Sequence, residues 1–223
     1  LYRPDARLDE AEAALRAAAS ADLGDFFRFT LEPGRRIAAG RTTLRVPVTA
    51  YLGATEFARF HVDLVAGLAM TGVPEEAAPL VPVELPGIAS VRYRVYPIAD
   101  HVADKVCALL EVHPRVGRAA QASTRYRDLA DLVVIAHTQA VPASELTRAL
   151  GSEARRRDIE LPTTFTTPDA AGWVAGYARV ARDVPGLDER DLEVARVTVK
   201  RFLDPVLAGD VTGSWSPHHQ RWA

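Results

Sequence analysis

Lys105 is one of only two lysines in the 223-residue chain; the other is Lys200, and the remaining 25 of its 27 basic residues are arginine. Around Lys105 the segment Ile98-Ala99-Asp100-His101-Val102-Ala103-Asp104-Lys105-Val106-Cys107-Ala108-Leu109-Leu110 has helical periodicity. Ile98, Val102, Lys105, Leu109 and Val112 share one stripe of it. An ammonium in the apolar stripe of a core-facing helix is costly unless it meets an anion. The other solution is a side chain that snorkels to the surface. Asp63 is the second candidate. It alternates with core residues on a strand and shares the polar side with Arg59 and His61. A carboxylate on an open sheet face suits a metal ion or a reacting hydroxyl. A cross-strand ion pair with an arginine is the structural alternative.

The third constellation is Arg125-Tyr126-Arg127-Asp128-Leu129-Ala130-Asp131-Leu132. Arg125, Tyr126, Leu129, Leu132, Val133 and Ala136 fall on one helical side, with Asp128 at its edge and Asp131 roughly opposite its centre. Alternating Arg and Asp usually form a solvated, ion-paired face. Here they open a helix that continues as Leu132-Val133-Val134-Ile135-Ala136, a run that belongs in a core.

Other chemistries find no support. Neither lysine follows the glycines of a P-loop, and HExxH, GxSxG and GxGxxG are absent. The histidines at 61, 101, 113, 137, 218 and 219 show no metal-ligand spacing. The single cysteine, Cys107, excludes an internal disulfide or a multi-cysteine zinc site and reads as a small core residue. Trp173 and Tyr177, one helical turn apart, read as helix packing. Arg155-Arg156-Arg157 either touches phosphates or forms an exposed helix face.

The elements that must carry these residues change character along the chain. Arg7 to Ser20 is alanine-rich and helical behind Pro4-Asp5, and Phe26 to Leu31 reads as a short strand. From Thr42 to Leu52, Leu44, Val46, Val48, Ala50 and Leu52 alternate with Arg45, Thr49 and Tyr51. After the turn Gly53-Ala54-Thr55-Glu56, Ala58, Phe60, Val62 and Leu64 alternate with Arg59, His61 and Asp63, completing an antiparallel hairpin. A Pro-rich connection is expected from Val73 to Pro86 and a strand from Ser90 to Tyr96. Helices are expected at 98–112, 124–138, 142–157, 169–182 and 188–207, the last opening at an Asp188 N-cap. Strands first and helices afterwards give an α+β layout, divided near Pro97 into residues 1–97 and 98–223.

Composition sets the outer bounds. The chain is 48% hydrophobic and 25% charged with a net charge of −2, which suits a globule with a real core and excludes a polybasic nucleic-acid or membrane protein. No apolar run is long enough to span a membrane and no leader precedes the first helix, so a cytoplasmic protein is expected.

The ordered set Val62-Asp63-Leu64, Tyr96-Pro97, Ala103-Asp104-Lys105-Val106-Cys107-Ala108 and Arg125-Tyr126-Arg127-Asp128-Leu129-Ala130-Asp131-Leu132 resembles the AbiEii/AbiGii toxin family of nucleotidyltransferases. Arg157-Asp158-Ile159-Glu160-Leu161-Pro162 and Trp173 to Tyr177 also fit, so the resemblance runs from about Phe57 to Leu207. It implies a toxin of a bacterial toxin–antitoxin or phage-defence system, with a mixed-sheet nucleotidyltransferase core of the DNA polymerase beta type and a helical C-terminal part. The implied reaction transfers nucleotides from an NTP to an RNA acceptor, the tRNA 3′ end in several members, with Mg²⁺. Carried over, Asp63 is the third sheet carboxylate, near the metal and the acceptor hydroxyl. Lys105 holds the triphosphate, Asp128 is the essential acid of the last motif, and Arg125 and Arg127 contact the substrate. Arg35, Arg36, Arg41, Arg92 and Arg94 are candidates for RNA phosphates.

One departure stands out. The family's first motif, Gly-Ser followed by a strand-borne Asp-x-Asp or Asp-x-Glu, is absent, and the chain begins at Leu1 rather than Met. The expectation is that an N-terminal segment is missing and that these residues alone are a weak or inactive catalyst. A cognate antitoxin is the implied protein partner. The competing reading is a non-catalytic α+β module whose Arg/Asp clusters contact a protein.

Overall fold

The alternating strands of the first half build one sheet. In the computed structural model, which describes residues 7–37, 43–67, 70–79, 81, 92–111, 113–115, 118–121, 123–168 and 172–223, the chain forms two compact units. One is Leu1–Ala69 with Pro79–Val91, and the other is Met70–Ala78 with Arg92–Ala223.

The first unit carries helix α1 (Leu8–Ala19) and strands β1 (Phe27–Leu31), β2 (Arg35–Arg36), β3 (Thr43–Leu52) and β4 (Thr55–Val65). β3 is the hub, pairing antiparallel with β4 along its length and with β1 and β2. Its period of two buries Leu44, Val46, Val48 and Ala50 on one face. Leu8 and Leu15 of α1 cover the Leu44–Val46 end of that face, together with Leu31 and Leu64. Arg16 fixes the helix by donating to the carbonyls of Leu31 and Glu32 at 3.2 and 2.9 Å. The hairpin turn is shorter than the sequence suggested. Gly53 takes a φ of +59°, β4 resumes at Thr55, and a bulge beside Ala50/Tyr51 absorbs the extra residue.

The second unit is helical. Its elements are β5 (Glu75–Ala77), β6 (Tyr93–Val95), α2 (Ile98–Leu110), β7 (His113–Arg115), β8 (Arg118–Gln121), α3 (Tyr126–Thr138), β9 (Val141–Pro142), α4 (Ala143–Arg157), α5 (Trp173–Arg182), α6 (Leu192–Ala208), β10 (Ser214–Ser216) and β11 (Arg221–Trp222). The five helices pack around Val102, Val106, Leu109, Leu129, Leu132, Val133, Leu146, Phe202 and Leu203. Tryptophans close this core with satisfied indoles: Trp173 donates to the Ser123 carbonyl at 2.9 Å and Trp215 to the Ala136 carbonyl at 2.7 Å. Gly176 lets α5 approach α3, because a Cβ there would sit 2.4 Å from Cζ of Tyr126.

Several sequence expectations need adjustment. The connection after Val73 contains β5, which pairs with β6; residues 82–91, and with them parts of the expected connection and strand, lie outside the described residues. Helix α6 opens at Asp191, not Asp188: the Asp191 carboxylate accepts the N–H groups of Glu193 and Val194. Before the helix, Leu187 is buried, the Glu189 carbonyl accepts the Tyr177 hydroxyl at 2.7 Å, and Arg190 N–H donates to the Asp188 carbonyl at 2.9 Å, so the chain turns at Asp188 and the helix begins three residues later. Among the described residues, no helix is long and apolar enough to cross a membrane.

Candidate functional site

Lys105 meets its anions inside the protein. The apolar stripe of α2 turns its lysine toward the first turns of α3, where it is 8% exposed. The ammonium Nζ donates to Asp131 Oδ2 at 2.6 Å and to Asp128 Oδ1 at 3.3 Å. The remaining carboxylate oxygens face arginines of the same helix opening. Arg125 Nη1 lies 3.7 Å from Asp128 Oδ2, and Arg127 Nε lies 3.8 Å from Asp131 Oδ1. Charges therefore alternate in one chain: Arg125, Asp128, Lys105, Asp131, Arg127. The two ends are the exposed members, with Arg125 57% and Arg127 65% accessible. Asp128 also stands in the first turn of α3, where the helix dipole favours an anion.

This geometry revises the sequence reading of Asp131. Its placement opposite the apolar stripe assumed that α3 has one buried side. Leu129, Ala130, Leu132, Val133, Ile135 and Ala136 are all buried, so α3 packs around more than half of its circumference. The side that looked solvent-facing receives α2, and Asp131 becomes the nearest partner of Lys105. The lysine does not wait for a ligand to neutralise it.

His101 lies one turn before Lys105 on α2, with its ring 6.2 Å from that of Tyr96 in an edge contact. Burial and the Lys105 ammonium push its pKa below the usual imidazole value.

Asp63 belongs to the first unit. Arg45, its cross-strand neighbour in register, binds it with both prongs: Nε to Oδ1 and Nη2 to Oδ2, each at 2.7 Å. His61 Nε2 lies 3.9 Å from the same carboxylate. The Arg45 guanidinium holds the Asp63 carboxyl below the usual carboxylate range, so it stays ionised. A divalent metal fits these residues poorly. Both Asp63 oxygens are taken by an arginine, and among the described residues no three His, Cys, Asp or Glu side chains are grouped to hold an ion.

A second buried network explains the basic run at the end of α4. Glu153 is almost fully buried and accepts from Arg156, whose Nε lies 2.6 Å from Oε2. Arg157 bonds Glu153 and Glu111, the latter at 2.8 Å, and approaches Asp104 at 3.9 Å. Two of the three consecutive arginines are thus committed to internal carboxylates and are not free for phosphates. Burial, with a hydrogen bond to Glu153, raises the Asp104 carboxyl to about 6. Burial also pushes the Cys107 thiol up to about 12, consistent with its place in the core.

The arginines expected to meet RNA are divided between the two units. Arg35 and Arg36 are exposed on β2 of the first unit. In the second unit Arg92 donates to the Glu76 carbonyl at 2.8 Å, and Arg94 is exposed on β6. Arg41 lies outside the described residues.

The lysine–carboxylate pairing joins two segments that the sequence resemblance had singled out, and the match to a known family is broad. The sequence model of the nucleotidyl transferase AbiEii toxin family, type IV toxin–antitoxin system, matches residues 2–215. The chain belongs to this AbiEii family. Nucleotidyl transfer is therefore its enzyme class, and the toxin half of a type IV toxin–antitoxin pair its biological setting. A nucleotide substrate and an antitoxin partner come with that membership. Among solved structures, MenT4, a nucleotidyltransferase toxin from Mycobacterium tuberculosis H37Rv, matches at 18% identity with a TM-score of 0.43, covering 94% of this chain and 75% of that one. A comparison with curated proteins returned no match.

Proposed function

We propose that this chain transfers nucleotides from an NTP to the 3′ end of an RNA acceptor, with tRNA the acceptor class, and that the alternating chain on α2 and α3 is its triphosphate-binding site. The observation that carries the reading is the fixed Lys105 ammonium flanked by two exposed arginines. A triphosphate spreads negative charge over several oxygens, and Arg125 and Arg127 offer planar donor forks beside a point charge. In the reaction the acceptor 3′-hydroxyl oxygen forms a bond to the α-phosphorus and gives up its proton to water, the bond to the bridging oxygen breaks, and pyrophosphate leaves with the electron pair. Positive charge held where the leaving group gains negative charge lowers that barrier without any proton transfer from Lys105.

In this reading Asp128, the more distant of the two carboxylates on Lys105, is the essential acid of the site. Asp63, in the first unit and kept ionised by Arg45, is the carboxylate that the family resemblance gives to the acceptor hydroxyl. Among the described residues no three metal-ligating side chains are grouped to hold Mg²⁺. Mg²⁺ dependence is an outcome of the test. The experiment is transfer of α-labelled NTPs, one base at a time, into total tRNA by the full natural chain, with Mg²⁺ and with chelator. Label entering RNA supports the reading and names the nucleotide. No label with any nucleotide, from protein shown to be folded, refutes it and favours a module that acts through a protein partner.

A further inference from the structure

The closest contact of Lys105 is a residue whose sequence position marked it as solvent-facing. We infer that Asp131 is a positioning residue for the transfer reaction: it aims Lys105 and at the same time competes with the nucleotide triphosphate for that lysine's charge. The inference rests on the proposed triphosphate site. Three features of the geometry carry it.

The first is the bond itself. At 2.6 Å the Asp131–Lys105 contact is a short charge-assisted hydrogen bond, while Asp128 sits at 3.3 Å. A lysine side chain has four rotatable bonds and many rotamers, so one short bond from a helix-borne carboxylate sets much of where the ammonium points. The second is accessibility. The side chain of Asp131 is 31% exposed against 16% for Asp128, so of the two carboxylates Asp131 is the one nearer solvent and nearer an anion held by the exposed arginines. The third is the charge count. Three cations and two carboxylates leave the cluster with an excess of one positive charge. A neutral residue at 131 raises that excess to two and releases Arg127, which now lies 3.8 Å from Asp131.

These features predict a split that a merely structural residue would not produce. Replacing Asp131 by Asn removes a like charge beside a bound triphosphate, which tightens nucleotide binding. It also frees the lysine, so fewer bound complexes have the ammonium in the productive place.

The test is steady-state kinetics of the full natural chain and its Asp131→Asn and Asp131→Glu variants, with NTP varied at saturating RNA acceptor. For Asp131→Asn the expected result is a KM for NTP roughly three- to tenfold lower together with a kcat roughly tenfold or more lower. Asp131→Glu, which keeps the charge on a longer arm, should return KM to the wild-type value and recover part of kcat. A second readout is independent of turnover. These 223 residues hold only Lys105 and Lys200, so in selectively labelled protein the Lys105 side-chain NMR signal is readily assigned as the one that Lys105→Arg removes. The Lys105 signal should move on Asp131→Asn and should then respond to NTP at lower concentration than in wild type. Wild-type transfer with Asp131→Asn constants within twofold of wild type overturns the inference alone, as does a kcat loss with KM unchanged or raised. Folded wild-type protein that neither transfers a nucleotide nor shifts Lys105 on adding NTP overturns the proposed function and this inference together.

Discussion

Removing the Lys105 ammonium should cost stability before it says anything about catalysis. In Lys105→Met the apolar stem is kept and the charge is lost. Asp128 and Asp131, one helical turn apart on α3, then face each other with only their weaker arginine contacts at 3.7 and 3.8 Å. Breaking a fully buried pair from one side costs roughly 3–5 kcal/mol. Both carboxylates here retain some solvent and an arginine, so about 2–3 kcal/mol is expected. At roughly 4 °C per kcal/mol for a unit of this size, that is a fall in Tm of about 8–12 °C. The assay is a double-mutant cycle in urea at pH 7.5, pairing Lys105→Met with Asp131→Asn and, separately, with Asp128→Asn. Coupling with Asp131 should be about 1.5–2 kcal/mol and with Asp128 about half that, following the 2.6 and 3.3 Å contacts. Coupling with Asp131 below about 0.3 kcal/mol would refute the reasoning, since independent sites add within that margin. A loss of toxicity in a Lys105 variant therefore needs a melting curve beside it.

Two further outcomes follow from packing and burial. Asp104 has a folded-state pKa raised to about 6 from 3.8, so the folded protein holds this proton across a window where the unfolded chain has lost it, and stability falls as pH rises from about 4 to 6. Asp104→Asn should thus stabilise by about 1 kcal/mol at pH 7.5 and by almost nothing below pH 4, read by urea unfolding at both; a larger gain at low pH contradicts the assignment. Gly176→Ala should destabilise by about 2 kcal/mol because its Cβ would enter the Tyr126 ring, and Tyr126→Leu in the same chain should recover part of the loss; an unchanged melting temperature for Gly176→Ala would show that α3 and α5 do not meet so closely.

The long hairpin from Thr43 to Val65 was legible because the buried face of β3 imposes a period of two; on β4 the alternation is weaker, with Val62 and Leu64 half-buried, Asp63 exposed, and Phe60, expected on the apolar face, exposed as well. Choosing between a metal ligand and an ion pair required the register, which places Arg45 directly opposite Asp63. Lys105 was legible as an anomaly on a periodic stripe, but not its partners. Asp131 was hidden because a single-stripe view of α3 fails for a helix covered on several sides. The Asp104–Glu153 network was out of reach for another reason: no spacing in the sequence links the two carboxylates, and only the packing of α2 on α4 brings them together. The three-stranded sheet of β9, β10 and β11 was missed because strands of two or three residues carry no periodicity. The Asp191 cap shows a similar limit, since Asp188 and Asp191 are equally good caps in sequence and tertiary bonds to Glu189 decide between them.

The central claim is that the chain of charges from Arg125 to Arg127 binds the nucleotide. Its most direct test is the labelled-NTP transfer assay, run on wild type beside an Arg125→Ala/Arg127→Ala double variant. Both side chains are exposed, so the variant should melt within a degree or two of wild type. The account predicts transfer by the wild type and a KM for NTP raised at least about tenfold in the variant. Transfer by the variant at the wild-type KM would contradict it and move the nucleotide site elsewhere on the chain.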